Sequence, residues 1–221
     1  MVFLKRKAGP FPLWLVILVV FFGLIACGET SGTVSNNSNI SSQADQPTAT
    51  PTQAVRQVGG KATTLGAGTF SGGKDVPVGL YDVTAPGQSG NFIVTGTDSY
   101  NEIFGQGVTK IRAQISDGDQ IELSGLSSVT FTPVSTPFVT AYKPITLYAG
   151  TFIVGQDIGA GRYVATTTPG SSGNFIVSGP DSVNEILGQN DVGGVPSVTT
   201  DLTNGDVITI SGLGQVTMTP K

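Results

Sequence analysis

Histidine is absent from these 221 residues, cysteine occurs once, and charged residues make up only 12% of the chain. Without histidine, Ser-His-Asp and Cys-His nucleophile systems are excluded, and so are His-based zinc sites. The lone cysteine, Cys27, excludes a disulfide within one chain, so the fold must hold by packing. No G-x-x-x-x-G-K-[ST] run exists, and Gly72-Gly73-Lys74 and Gly159-Ala160-Gly161 read as turns, not phosphate loops. Positive charge is also scarce: Lys5, Arg6 and Lys7 lie in the first ten residues, leaving eight basic side chains against 15 acidic ones. That balance argues against a nucleic-acid partner.

What the chain has instead is an echo. Ser89-Gly90-Asn91-Phe92-Ile93-Val94 returns unchanged as Ser172-Gly173-Asn174-Phe175-Ile176-Val177. Asp98-Ser99-Tyr100-Asn101-Glu102-Ile103 is answered by Asp181-Ser182-Val183-Asn184-Glu185-Ile186, and Ala67-Gly68-Thr69-Phe70 by Ala149-Gly150-Thr151-Phe152. Self-similarity of this kind marks a duplicated structural unit. Copy one spans 61–134, a connector 135–143, and copy two 144–221. Residues gained before the second Ser-Gly-Asn-Phe element and between Gln189 and Gly205 mark loops.

The first sixty residues have a different composition. A cationic stretch, Lys5-Arg6-Lys7, precedes the apolar run from Phe11 to Ala26, which is shorter than the roughly 20 residues of a comfortable membrane span. It reads as a secretory signal, 1–26. Leu24-Ile25-Ala26-Cys27 resembles the lipobox of bacterial lipoproteins. The resemblance implies cleavage between Ala26 and Cys27, a diacylglyceryl thioether on Cys27, and palmitate-type acylation. Two or three acyl chains, at about 0.8 kcal/mol per buried CH₂, anchor durably. The alternative is an uncleaved signal anchor, and either reading puts the remainder on the extracytoplasmic face. Residues 27–60 are rich in Ser, Thr, Asn, Gln and Pro and bury too little apolar surface to offset ordering entropy. They read as a disordered tether, with an average reach of about 30 Å.

Inside the copies the hydrophobic period is two. Lys110-Ile111-Arg112-Ala113-Gln114-Ile115, Gln120-Ile121-Glu122-Leu123 and Val207-Ile208-Thr209-Ile210 alternate apolar and polar residues, as half-buried strands do. Ser116-Asp117-Gly118-Asp119 and Thr203-Asn204-Gly205-Asp206 carry the Asp-Gly and Asn-Gly signals of hairpins. Phe92-Ile93-Val94 lacks a polar alternate and is expected in a sheet interior with both faces covered. No stretch reads as a helix. Six or seven short strands per copy with Gly-rich turns predict an all-β fold: two tandem small β-sandwich or barrel-like units, packed together. Gly150 to Tyr163 also resembles a module of secreted bacterial lipoproteins, written G-T-Y-x-V-G-x-D-I-x-x-G-x-Y, for which the resemblance implies location and fold but no activity.

Carboxylates carry whatever chemistry remains. Asp98 and Glu102, with counterparts Asp181 and Glu185, are the pair a carbohydrate-active enzyme would need, one raised in pKa and the two about 5 to 9 Å apart. Asp98, Asn101 and Glu102, and Asp181, Asn184 and Glu185, also gather oxygens within five residues, as a calcium-dependent adhesion module would. Duplication of both partners favours a role in the fold, with Asp98 and Asp181 accepting backbone N–H groups in turns. The tyrosines Tyr81, Tyr100, Tyr142, Tyr148 and Tyr163 are candidates for sugar stacking, although Tyr81 and Tyr163 occupy matching strand positions expected to pack. The expectation is a membrane-anchored surface lipoprotein without enzymatic chemistry or an obligate cofactor, whose further partner is a protein or glycan.

Overall fold

Strand formation follows the alternation. In the computed structural model, residues 60–134, 138–189 and 193–221 are described, and they form sixteen strands and no helix. The expected signal peptide, Cys27 and nearly all of the tether lie outside these residues. Copy one supplies β1 (Thr63–Leu65), β2 (Gly68–Ser71), β3 (Gly79–Thr84), β4 (Gly90–Thr95), β5 (Tyr100–Phe104), β6 (Lys110–Ile115), β7 (Gln120–Ser124) and β8 (Val129–Pro133). Copy two supplies β9 (Ile145–Leu147), β10 (Ala149–Ile153), β11 (Gly161–Thr167), β12 (Ser172–Ser178), β13 (Val183–Gly188), β14 (Ser197–Leu202), β15 (Val207–Ser211) and β16 (Val216–Pro220).

The connectivity repeats strand for strand. Copy one orders its strands β1-β8-β3-β6 and β2-β7-β4-β5; copy two orders its own β9-β16-β11-β14 and β10-β15-β12-β13. Within each copy the two sets face each other across one core, as in sandwiches. Phe92 of β4 meets Phe131 of β8 across the first core with ring centroids 6.1 Å apart. Phe152, Tyr163, Phe175 and Ile210 fill the second. Tyr81 and Tyr163 are fully buried, so the packing expected of them holds.

The copies are not separate bodies. The described residues form one compact unit, because β6 of copy one pairs in parallel with β10 of copy two and fuses two four-stranded sheets into an eight-stranded one. The pairing is short, with Ala149 opposite Ile111 and Gly150 opposite Arg112. Gly150 has a φ of 118°, and a Cβ there would lie 2.1 Å from the Arg112 carbonyl oxygen, so no other residue fits without moving a strand.

Two local expectations are corrected. Asp117-Gly118 and Asn204-Gly205 do not close hairpins: β6 pairs with β3 while β7 pairs with β2 and β4, in the opposing sheet, and β14 and β15 divide likewise. The turn is a corner between sheets. It is held by Asp119, whose Oδ2 accepts the Ser116 N–H (2.8 Å) and whose Oδ1 accepts the Thr97 N–H (2.8 Å). Hence the apolar faces of β6 and β7 meet across the core instead of lying side by side. Second, Phe92-Ile93-Val94 does lie inside a sheet, between β7 and β5, but Ile93 is only half-buried. The outer face of that strand is partly open to solvent.

Candidate functional site

The junction between the copies gathers the densest polar chemistry among the described residues. Arg112 projects from β6 on the face opposite the core residues Ile111 and Ala113. Its Nε donates to Asp82 Oδ1 of β3 (2.7 Å), its Nη1 to Asp157 Oδ1 of copy two (2.9 Å), and its Nη2 to the Tyr148 hydroxyl (2.6 Å). Tyr148 in turn donates to Asp82. Lys110 Nζ sits 3.8 Å from the centre of the Tyr148 ring, a cation–π contact. The Arg112 side chain is only 11% exposed, so its charge is compensated by two carboxylates in a poorly solvated place. Burial drives the Tyr148 hydroxyl well above its ordinary pKa, with Arg112 opposing and Asp82 reinforcing the shift. At neutral pH Tyr148 is a proton donor.

Beside this clamp lies a small cavity of about 150 Å³, lined by Leu80, Arg112, Phe138, Tyr148, Phe152 and Asp157 among others. Connector residues help close the junction. Val139 N–H donates to Gln156 O (2.7 Å), and Tyr142 packs edge-on against Tyr163 at 5.1 Å while its hydroxyl donates to the Arg162 carbonyl.

The second feature of the junction is Glu102. On β5 it shares a face with Tyr100 and Phe104 and is only 5% exposed, because the Ser211-Gly212 turn of copy two covers it. Glu102 Oε2 accepts the Gly212 N–H at 3.1 Å, and the Ser211 hydroxyl also bonds to it. Burial raises its pKa above the ordinary 4.5, with the Ser211 and Gly212 bonds opposing. Around it is a polar cleft of about 450 Å³ formed by Asn101, Gln106, Gly170, Ser171, Ser172 and Ser211 among others. Glu185, at the same place in copy two, is exposed, since among the described residues no turn covers it as Ser211-Gly212 covers Glu102.

The other candidate residues scatter. Asp98 lies in the β4–β5 turn, where its Oδ2 accepts the Ser116 hydroxyl (2.7 Å) and its own N–H points to Asp119. Asn101 and Glu102 are neighbours on a strand and therefore face opposite ways, Asn101 exposed and Glu102 buried. Asn184 and Glu185 are both exposed on β13, and Asp181 is exposed before it. Among the described residues no three carboxylates are grouped to hold a metal ion. Anchoring of turns falls chiefly to residues to which the sequence reading gave no such role: Asp119 and Asp206, both buried, and Asp75 and Asp157, which accept the Ser71 and Ile153 N–H groups. Their signal was present, because each of the four has a matching aspartate in the other copy.

The tyrosines do not make a stacking platform. Tyr100 is buried and its hydroxyl accepts the Gln114 N–H, while Tyr148 belongs to the clamp. No protein-family model, curated protein or solved structure matches the chain.

Proposed function

We propose that the chain is a lipid-anchored protein of the extracytoplasmic face of a bacterial cell membrane, with a non-enzymatic, envelope-associated structural or binding role. The observation that carries the structural half is the Arg112 clamp across a continuous eight-stranded sheet, which makes two sandwiches one stiff body instead of two beads on a string. Sheet pairing and a compensated buried charge resist relative motion of the copies. The anchoring half rests on Leu24-Ile25-Ala26-Cys27 and the polar segment that follows it. Intact-mass analysis of the membrane-extracted protein tests it. A mature chain starting at Cys27 and carrying diacylglyceryl plus acyl mass is expected; an unprocessed, unacylated precursor refutes it.

One observation favours a second reading, a carbohydrate-active enzyme. Glu102 has a raised pKa and borders a polar cleft, as a general acid would. Hydrolysis of a glycan by the intact protein, lost in Glu102→Gln, would support that reading, and no hydrolysis across a broad glycan panel would dismiss it. The calcium-dependent adhesion reading is tested by melting residues 61–221 with calcium and with chelator, and equal melting in the two ends it.

A further inference from the structure

The junction inside this chain is head-to-tail: the β6 edge of one copy meets the β2-type edge, β10, of the next. Because the copies share one topology, the described residues hold the two halves of the same joint a second time, one half in each copy. Among the described residues β14, the counterpart of β6, is an unpaired edge of copy two, and β2, the counterpart of β10, is an unpaired edge of copy one. We propose that these edges pair between molecules, so that the occupant of each free edge is a second copy of this chain and association proceeds head-to-tail.

The register follows from the internal joint. Ala149 opposite Ile111 and Gly150 opposite Arg112 translate to Ala67 of one molecule opposite Val198 of the next, and Gly68 opposite Thr199. Gly68 keeps the glycine that close backbone approach demands at Gly150, yet nearest to its own Cβ position is only the Phe70 ring. Neither edge carries the lysine or proline that commonly blunts an exposed strand: β2 reads Gly-Thr-Phe-Ser, and β14 has Asp201 as its one charge. The second contact is also kept. Glu185 matches Glu102, and Ser124-Gly125 matches Ser211-Gly212, so an exposed carboxylate at one end has its hydroxyl and N–H partners at the other. Ile186, 44% exposed, sits beside it as Ile103 sits beside Glu102.

The side-chain clamp is not kept. Thr199 stands for Arg112, Val164 for Asp82 and Gly66 for Tyr148, and only Asp75 still matches Asp157. Ser127 replaces Gly214, whose Cβ position is 1.9 Å from the Gly107 carbonyl at the internal joint. The outer joint therefore has the backbone ladder and the Glu–Ser-Gly contact without the charged lock, and it is weak and reversible. A heterologous contact that does not close a ring grows an open chain.

This deepens the structural role proposed above but needs neither lipid nor tether, so it can fail without touching the anchoring. Both cores are drawn from within residues 60–221, so that fragment is suitable for the test. Sedimentation velocity over a wide concentration range should give a mass that rises past dimer without a plateau. Gly66→Tyr, Val164→Asp and Thr199→Arg together restore the lock and should bring association to roughly tenfold lower concentration or below. Glu185→Lys, at an exposed site, should leave the melting temperature unchanged and keep the protein monomeric. A wild-type fragment that stays monomeric throughout, a plateau at dimer, or undiminished association in Glu185→Lys would each overturn the proposal.

Discussion

Arg112 of copy one and Asp157 of copy two are joined by a 2.9 Å hydrogen-bonded ion pair, and Asp157 does two jobs at once. Its Oδ2 accepts the Ile153 N–H and orders the turn after β10, while its Oδ1 receives the guanidinium from the other copy. A residue that both copies need locally has thus been recruited, in one of them, to the joint.

Loss of that guanidinium should loosen the joint before either core. Arg112→Ala leaves Asp157 without its cation and Asp82 with only Lys110, 3.7 Å away, in a half-buried place, a cost of about 3 kcal/mol. For a unit of this size the melting temperature should fall by roughly 6–12 °C. Calorimetry should show a broadened or split transition, since apart from Ala149 each core is drawn from its own copy. Arg112→Lys should recover little, because one ammonium cannot reproduce the three-way fork to Asp82, Asp157 and Tyr148.

Gly150→Ala is expected to break the β6–β10 pairing on backbone sterics alone, with φ at 118° and the Arg112 carbonyl oxygen 2.1 Å from the new carbon. Amide hydrogen exchange should accelerate at β6 while core amides of β4 and β12 remain protected. Equal protection of β6 in the variant and the wild type would count against the joint.

Glu102 makes the joint pH-dependent. Its folded pKa is raised above the ordinary 4.5 by burial. A raised carboxyl stabilises the fold fully below its unfolded pKa, and this contribution is lost as pH rises through the folded value. Stability should therefore decline from about pH 4.5 upward through that window. Glu102→Gln retains an acceptor for the Gly212 N–H without the buried charge, so its melting temperature should exceed the wild type at neutral pH and its slope across the window should flatten.

Asp119 and Asp206 should prove costly to remove. Asp119→Ala strands the Ser116 and Thr97 N–H groups beside a core, at about 2–3 kcal/mol. Asp206→Ala should cost a similar amount through Thr203, whose N–H and hydroxyl it accepts. Chemical denaturation of each single variant measures both.

Cys27→Ala should abolish incorporation of labelled palmitate and shift the protein out of the detergent phase on partitioning. Retention of the label in that variant would remove the lipobox reading.

The strands themselves were legible in advance. Lys110 to Ile115 alternates, and every apolar member of it is in the core. The repeated Ser-Gly-Asn-Phe-Ile-Val element marked two equivalent strands, and β4 and β12 are those strands. The Asp117-Gly118 turn misled, because a positive-φ glycine serves a corner between sheets as well as it serves a hairpin. The choice was made by Asp119, which ties the corner to Thr97, far along the chain. Arg112 could be read only as a solvent-side residue, because nothing local announces that Asp157 and Tyr148 will arrive from copy two.

Sequence alone determined the all-β character, the duplication and the positions of the cores, because period-two burial and glycine turns act within a few residues. Only the tertiary structure decided that two repeats share one sheet. It also gave the identical letters Glu102 and Glu185 opposite fates, one buried against Gly212 and the other facing solvent. The reason is physical: burial and pKa depend on what a distant part of the chain lays over a side chain, and the Ser211-Gly212 turn that covers Glu102 is 110 residues away from it in the chain.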